Sequence, residues 1–269
     1  MGTKNPSVTV GIPFYQETAL AELSSAVKSI LMQTRPPDCI HLIQDGPVTA
    51  EVEKLVKDIS ALQPSVQHFQ LEQGGLPKAL NHSLQHTDTT FYARMDSDDI
   101  AHPERIAKQV AFLDSHPDVQ ILGGWAIEFK DEQNYKEGFL KKMPADFQDI
   151  KQLFHYRNPL IHSTVMFRMS VFPLLGYYDE AYITNQDLEL WARALKQEIC
   201  IANIPEVLLY FRSGEMVKKR TRLPTLIRQI RASYQYNTCS PKLNVLKILA
   251  VIFRLLPLRL QKLGYKFLR

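Results

Sequence analysis

Apolar positions in the first half of the chain fall into two alternating patterns. Short, β-branched runs at 7–12, 40–43, 66–71, 91–95 and 119–123 have the length and composition of buried strands. The segments between them, 18–33, 48–62, 76–85 and 103–115, read as helices. In 18–33 the apolar residues Leu20, Leu23, Val27, Ile30 and Leu31 recur at helical spacing. Asp45-Gly46-Pro47 and Gly74-Gly75 mark turns, and Pro103 suits the first turn of its helix. This alternation predicts βαβ units and a parallel sheet. Ligands in such sheets bind beyond the carboxyl ends of the strands, here residues 13–17, Asp45, 73–75 and 96–99. After about residue 131 the alternation becomes irregular, with a helix at 185–197 and short strands at 199–202 and 207–211.

The C-terminal stretch has its own pattern. Leu246, Leu249, Phe253, Leu256, Leu260, Leu263 and Phe267 alternate in steps of three and four, and Lys247, Arg254, Arg259, Lys262, Lys266 and Arg269 fall off that stripe. The longest uncharged apolar run, 248–253, has six residues, whereas a spanning helix needs about 20. The segment is therefore predicted to lie in a lipid interface rather than to cross a bilayer, with a kink at Pro257. A helix docked on the protein's own core is the alternative.

Composition changes this picture in one respect. The chain has 269 residues, 45% hydrophobic and 22% charged, values of an ordinary folded domain. Its 32 Lys/Arg and 28 Asp/Glu are unevenly placed: 13 of the basic and none of the acidic residues lie from Met216 onward. An acidic body thus carries a basic tail, which suits anionic lipid, nucleic acid or a phosphorylated ligand. From residue 242 onward aromatic residues are few (Phe253, Tyr265, Phe267), unlike single-strand binders, so nucleic acid is not expected as a partner. The cluster Arg212, Lys218, Lys219, Arg220 and Arg222 reads either as a solvated basic loop or as a grip on a diphosphate. Cys39, Cys200 and Cys239 form no metal spacing, and no apolar leader is visible at the start, so reduced thiols in a cytoplasmic protein are expected.

The chemistry concentrates in RMDSDDIAHPERI, residues 94–106. Asp96 and Asp98 follow a strand, and i and i+2 in extended backbone point to one side. Two carboxylates aimed at one point repel unless a cation joins them, and an oxygen-only set selects Mg²⁺ or Mn²⁺ over zinc. A helix-capping turn would use only one of these aspartates. No GxGxxG and no GxxxxGK[ST] occur. A nucleotidyltransferase or phosphatase of α/β type remains an alternative on these residues alone.

SVTVGIPFYQE, QDGP, GGLPKALNHSL, ARMDSDDIAHPERIAKQVAFLDSHPDVQILGGW, NPLIHSTVMFR, NQDLELWARAL and IPEVLLYFR occur in this order. Together, over about residues 7–235, they resemble bacterial family-2 glycosyltransferases of the GT-A fold that build surface polysaccharides such as O-antigen and capsule. The resemblance implies a Rossmann-like nucleotide-sugar-binding sheet. Residues 1–130 would form the nucleotide-binding half and 131–235 the acceptor-binding half; the membrane-associating tail, 236–269, is read from its own charge and periodicity, the stretch after Ser240 lying outside the common pattern. The resemblance also implies that Asp96 and Asp98 hold a divalent metal against a nucleotide-sugar diphosphate, with Asp98 the direct ligand. Pro13, Tyr15 and Glu17 would wall the uridine, Asp45 would read the uracil, and Lys78 would line the nucleotide. Asp187 matches the second acidic residue of the family's ED pair, the catalytic base; Gln186 stands where the family usually has Glu. His162 matches a histidine near acceptor or metal. The implied reaction is transfer of a hexose, galactose or glucose, from a UDP-sugar to a polyprenyl-diphosphate-linked sugar. One base without a second carboxylate nucleophile means inversion and a β-linkage. The implied place is the cytoplasmic face of the inner membrane.

Overall fold

The structure, a computed structural model, describes residues 6–213 and 223–256. Strands β1 (Val8–Tyr15), β2 (Cys39–Asp45), β3 (Val66–Leu71) and β4 (Phe91–Arg94) form a parallel block in the order β3-β2-β1-β4. Helices α1 (Leu20–Leu31), α2 (Ala50–Leu62) and α3 (Leu76–Gln85) make the crossovers. Successive strands are added on one side of β1 until β4 returns to its other side. That reversal opens a crevice at the carboxyl ends of β1 and β4.

The remaining strands make the sheet mixed, correcting the expectation of a parallel one. These are β5 (Ile100–Ala101), β6 (Ile121–Phe129), β7 (Phe139–Lys141), β8 (Met166–Arg168) and β9 (Ile201–Arg212). The order continues β4-β8-β6-β9-β5, with β7 beside β6. β8 runs antiparallel to β4 and β6, β5 to β9, and β7 to β6, while β6 and β9 are parallel. β5, β7 and β8 have two or three residues each, too few for an apolar run or a period to show in sequence. The strands expected at 199–202 and 207–211 are one strand. Gly124 pairs with Ile204 and Trp125 with Val207, so Pro205 and Glu206 form a bulge, where a residue without an N–H is tolerated.

The period of two sorts the core. Val8, Val10, Ile12 and Phe14, with Phe91 and Ala93, pack on α1, α2 and α4 (Arg105–Ser115). Tyr92, Ile121 and Phe167 face the other way, onto α3, α5 (Phe147–Phe154), α6 (Phe172–Leu175) and α7 (Gln186–Lys196). Covered on both faces, β1 is buried from Val8 to Phe14, as parallel strands are. Gly11 leaves room for Tyr92, whose hydroxyl donates to Ser83 at 3.0 Å.

Two helices follow, α8 (Leu223–Tyr234) and α9 (Pro241–Leu255). α9 starts with Ser240 accepting from Leu243 N and with Pro241 in the first turn. Its orientation departs from the predicted stripe. Lys247 is buried and donates to Ser233 O, Tyr236 O and Asn237 Oδ1 at 2.7, 2.7 and 2.9 Å. Val245, Ile248, Leu249, Ile252 and Leu255 are about half exposed. Lys218, Lys219, Arg220 and Arg222, and everything from Pro257 on, lie outside the described residues.

Candidate active site

The carboxyl ends of β1, β2 and β4 bring the predicted residues to one edge of the sheet. After β1, Tyr15 N–H donates to Thr18 Oγ1 at 3.0 Å, and Tyr15 Oη donates to Glu17 Oε2 at 3.1 Å. Thr18 Oγ1 lies 3.5 Å from Ser97 Oγ, joining this turn to the aspartate turn after β4. Pro13 is buried within β1. At the end of β2, Asp45 accepts from Gly74 N at 2.7 Å and from Gly75 N at 2.9 Å. Asp45 therefore ties β2 to the turn that begins α3. Gly75, with φ +87°, is the N-cap residue of α3, a conformation that favours glycine. A Cβ on Gly74 would meet the Lys78 stem at 2.3 Å, so Lys78 lies across that turn.

Asp96, Asp98 and Asp99 each offer a carboxylate oxygen within 4.8 Å of the others. Burial, then the Asp96 charge, pushes the Asp98 carboxyl up to about 6. Asp99 is fully buried, and burial followed by the charges of Asp96 and Asp98 holds its carboxyl well above the usual range. Oδ1 of Asp99 accepts from Arg212 N at 2.9 Å, while Oδ2 has no hydrogen-bond partner among the described residues. Such an oxygen is costly to bury. Oxygen donors, excess negative charge and an unpartnered buried lone pair fit a Mg²⁺- or Mn²⁺-type ion.

Three residues that sequence reasoning missed, and one that it placed elsewhere, build this turn. Arg94, nearly fully buried, forks onto both oxygens of Asp96 and so partly satisfies it. Arg105, also buried, donates to Arg94 O at 2.7 Å and to Gln109 Oε1 at 3.1 Å. Gln109 in turn donates to Thr164 O at 2.8 Å. Arg212, expected in a basic loop, turns inward instead: its Nε donates to Asp98 O at 2.9 Å and its Nη2 to Glu132 at 3.0 Å. The only sequence trace of the first three was their place in the RMDSDDIAHPERIAKQ block. A buried arginine cannot be told from a solvated one by pattern.

Asp187 stands in the first turn of α7. Asn158, not singled out from sequence, donates through Nδ2 to Asp187 Oδ2 at 2.6 Å. Its Oδ1 accepts from Leu160 N at 3.2 Å, which sets the amide's orientation. Gln186 is buried. His162 is not in the aspartate cluster: its Nε2 lies 2.8 Å from Tyr178 Oη. Burial, then the Arg94 charge, drives the His162 ring well below its ordinary value, so it is neutral.

The Glycosyl transferase family 2 model matches residues 9–175, a span that holds the crevice and the aspartate turn. The chain belongs to glycosyl transferase family 2. Over 214 residues this family-2 chain is 36% identical to the amylovoran biosynthesis glycosyltransferase AmsE of Erwinia amylovora, covering 79% of each. It is 31% identical over 272 residues to the UDP-Gal:alpha-D-GlcNAc-diphosphoundecaprenol beta-1,3-galactosyltransferase of Escherichia coli, covering 99% of this chain and 98% of that one. The fold matches the mannosyltransferase PcManGT from Pyrobaculum calidifontis, solved in complex with GDP-Man and Mn²⁺. That match has a TM-score of 0.64 at 15% identity and covers 95% of this chain and 72% of that one. The fold is GT-A.

Proposed function

We propose that this glycosyltransferase is a metal-dependent, inverting enzyme. It moves a hexose, galactose or glucose, from a UDP-sugar to a polyprenyl-diphosphate-linked sugar. The observation that carries this reading is the convergence of Asp96, Asp98 and Asp99 at the switch of the sheet. Support for the donor and acceptor classes comes from the printed activity of the E. coli relative.

Uridine is read in the crevice beside Pro13, Tyr15 and Glu17. Asp45 uses its remaining lone pairs for the uracil N–H, because two backbone N–H groups already hold its carboxylate in place. Asp98 and Asp96 would hold the divalent ion, Mn²⁺ or Mg²⁺, with the Asp99 carboxylate in the same cluster. When bound, that ion supplies Lewis-acid stabilisation of the leaving diphosphate. Lys78 adds its charge on the same side. Asp187 accepts the proton of the attacking hydroxyl, with Asn158 orienting its carboxylate. A single base gives a single displacement, so an α-linked donor yields a β-linkage. His162, neutral and tied to Tyr178, shapes the acceptor side. Residues 1–130 form the nucleotide-binding half, 131–235 the acceptor-binding half, and 236–269 the segment that meets the membrane.

The membrane reading rests on α9. No helix among the described residues is long and apolar enough to cross a bilayer. The apolar row Val245, Ile248, Leu249, Ile252 and Leu255 faces outward, and basic residues without acidic ones follow it in the sequence. An exposed apolar row beside cations suits the interface of an anionic membrane, here its cytoplasmic side.

The experiment is release of UDP from a panel of UDP-sugars, with a synthetic GlcNAc-diphosphate-lipid acceptor and with Mn²⁺ or EDTA. Release with one hexose that needs both acceptor and metal supports the reading. Acceptor-dependent release undiminished by EDTA contradicts the metal role, and turnover that never transfers sugar contradicts the reaction class.

A further inference from the structure

Asn185, the residue before α7, has its backbone in the left-handed region, with φ 60° and ψ 25°. Few residues with a side chain adopt this conformation, and asparagine is among those that tolerate it best. Asparagine is also a preferred helix cap, yet this one does not cap: its side chain makes no hydrogen bond to the first turn of α7. The amide leaves the helix instead, and Nδ2 donates to Thr225 O in the first turn of α8 at 3.1 Å. Capping therefore does not account for Asn185, and Asp187 lies two residues beyond it.

The segment that leads to Asn185 is held from two sides. At its start, Asn81 of α3 pairs with Tyr178 in both directions: Nδ2 donates to Tyr178 O and Oδ1 accepts from Tyr178 N, each at 2.9 Å. Toward its end, Gln235, just beyond α8, donates to Tyr182 Oη at 3.1 Å, and Thr225 O holds Asn185 itself. Between these ties Ile183 lies against the turn that begins α3, its Cγ2 3.8 Å from where a Cβ on Gly75 would stand. The start of α7 is thus fixed relative to α3, whose turn Asp45 holds, and relative to α8. Asn158 grips the Asp187 carboxylate by one oxygen. The backbone from which that carboxylate projects is set at Asn185.

We propose that Asn185 is a positioning residue for the base: its left-handed backbone and its bond to α8 together fix where the first turn of α7 presents the Asp187 carboxylate. The inference rests on Asp187 being the base of the proposed transfer. A base must lie within hydrogen-bond reach of the proton it takes, and a misplacement of about 1 Å can cost up to about 10²-fold in rate. The left-handed turn is strain kept where it aims a reacting group. Through it α8 becomes part of the frame that holds the base.

The test is a double-mutant cycle on the full chain, Asn185→Gly and Asp187→Asn singly and together, with UDP-galactose or UDP-glucose as donor and a synthetic GlcNAc-diphosphate-lipid as acceptor. Glycine keeps the left-handed backbone and removes the amide. Asn185→Gly alone lowers kcat roughly 10-fold and leaves the donor and acceptor KM unchanged. Its Tm stays within a few degrees of wild type, the shift for one lost hydrogen bond. On top of Asp187→Asn the same change costs less than about twofold, because no base remains to misplace. Asn185→Asp tolerates the same backbone and offers Thr225 O no N–H; it shows the same pattern and serves if the glycine variant is poorly folded. Equal losses of kcat in the two backgrounds overturn the inference, since a change that acts through packing is indifferent to residue 187. An unchanged kcat in both Asn185 variants overturns it too and leaves the base assignment standing. Undiminished kcat in Asp187→Asn overturns the base assignment and this inference with it, and no transfer by wild type from either donor overturns the proposed reaction and all that rests on it.

Discussion

Asp98 shows how the site is held at the expense of stability. Burial and the Asp96 charge work against its ionised form, lifting it to about 6, and its own backbone N–H and the Arg94 charge offset this only in part. Asp98→Asn is therefore expected to lower transfer by about 10³-fold or more, the scale of lost electrostatic stabilisation. It should leave the metal-free Tm unchanged or raised, because a repulsive charge is removed. Asp187→Asn should reduce kcat by roughly 10²- to 10⁴-fold, the range for general-base removal, with the donor KM little changed. Steady-state kinetics and thermal melts check both. The clustering of Asp96 and Asp98 was legible because carboxylates in a tight motif have few other uses. Arg94, Arg105 and Asn158 were not, because each acts through burial and a specific partner rather than through spacing.

At the scale of the element, the parallel block was legible from its alternating periods, and the segment 66–71 was found with the bounds of β3. The antiparallel additions were not: Met166–Arg168 offers only two buried residues to a pattern search. Pro205 made one strand read as two, since proline ends a ladder in sequence logic but sits on a bulge here. α9 was legible as amphipathic but not in its orientation. The buried Lys247 ammonium draws that face inward by satisfying two carbonyls and an amide oxygen. Lys247→Met should lower the Tm by several degrees, because three buried acceptors lose their donor. Ile248→Ser/Ile252→Ser should leave the Tm unchanged and weaken flotation with phosphatidylglycerol vesicles severalfold.

For the whole molecule, the fold joins the crevice at the carboxyl ends of β1 and β4 to a layer built from α5, α7 and the last helices. Its acid stability depends on buried neutral histidines. His41, 2.9 Å from Ser83 Oγ, is lowered by burial to about 4 from an ordinary 6.5. Its folded value lies below its unfolded one, so the unfolded chain binds more protons between about pH 4 and 6.5. Its contribution is whole above pH 6.5 and is lost as pH falls toward 4. Each unit of such a shift is worth about 1.4 kcal/mol. His41→Gln should therefore flatten the fall in stability between pH 7 and 5 relative to wild type, read by denaturant melts at each pH. The central claim, that the aspartate turn holds a divalent ion against a nucleoside diphosphate, needs no acceptor to be tested. Calorimetric titration of UDP into the full chain, with and without Mn²⁺ and in parallel on Asp98→Asn, addresses it directly. The account predicts UDP binding that Mn²⁺ strengthens at least tenfold in wild type and not in the variant. Equal UDP affinity with and without Mn²⁺, or equal Mn²⁺ enhancement in Asp98→Asn, would contradict it.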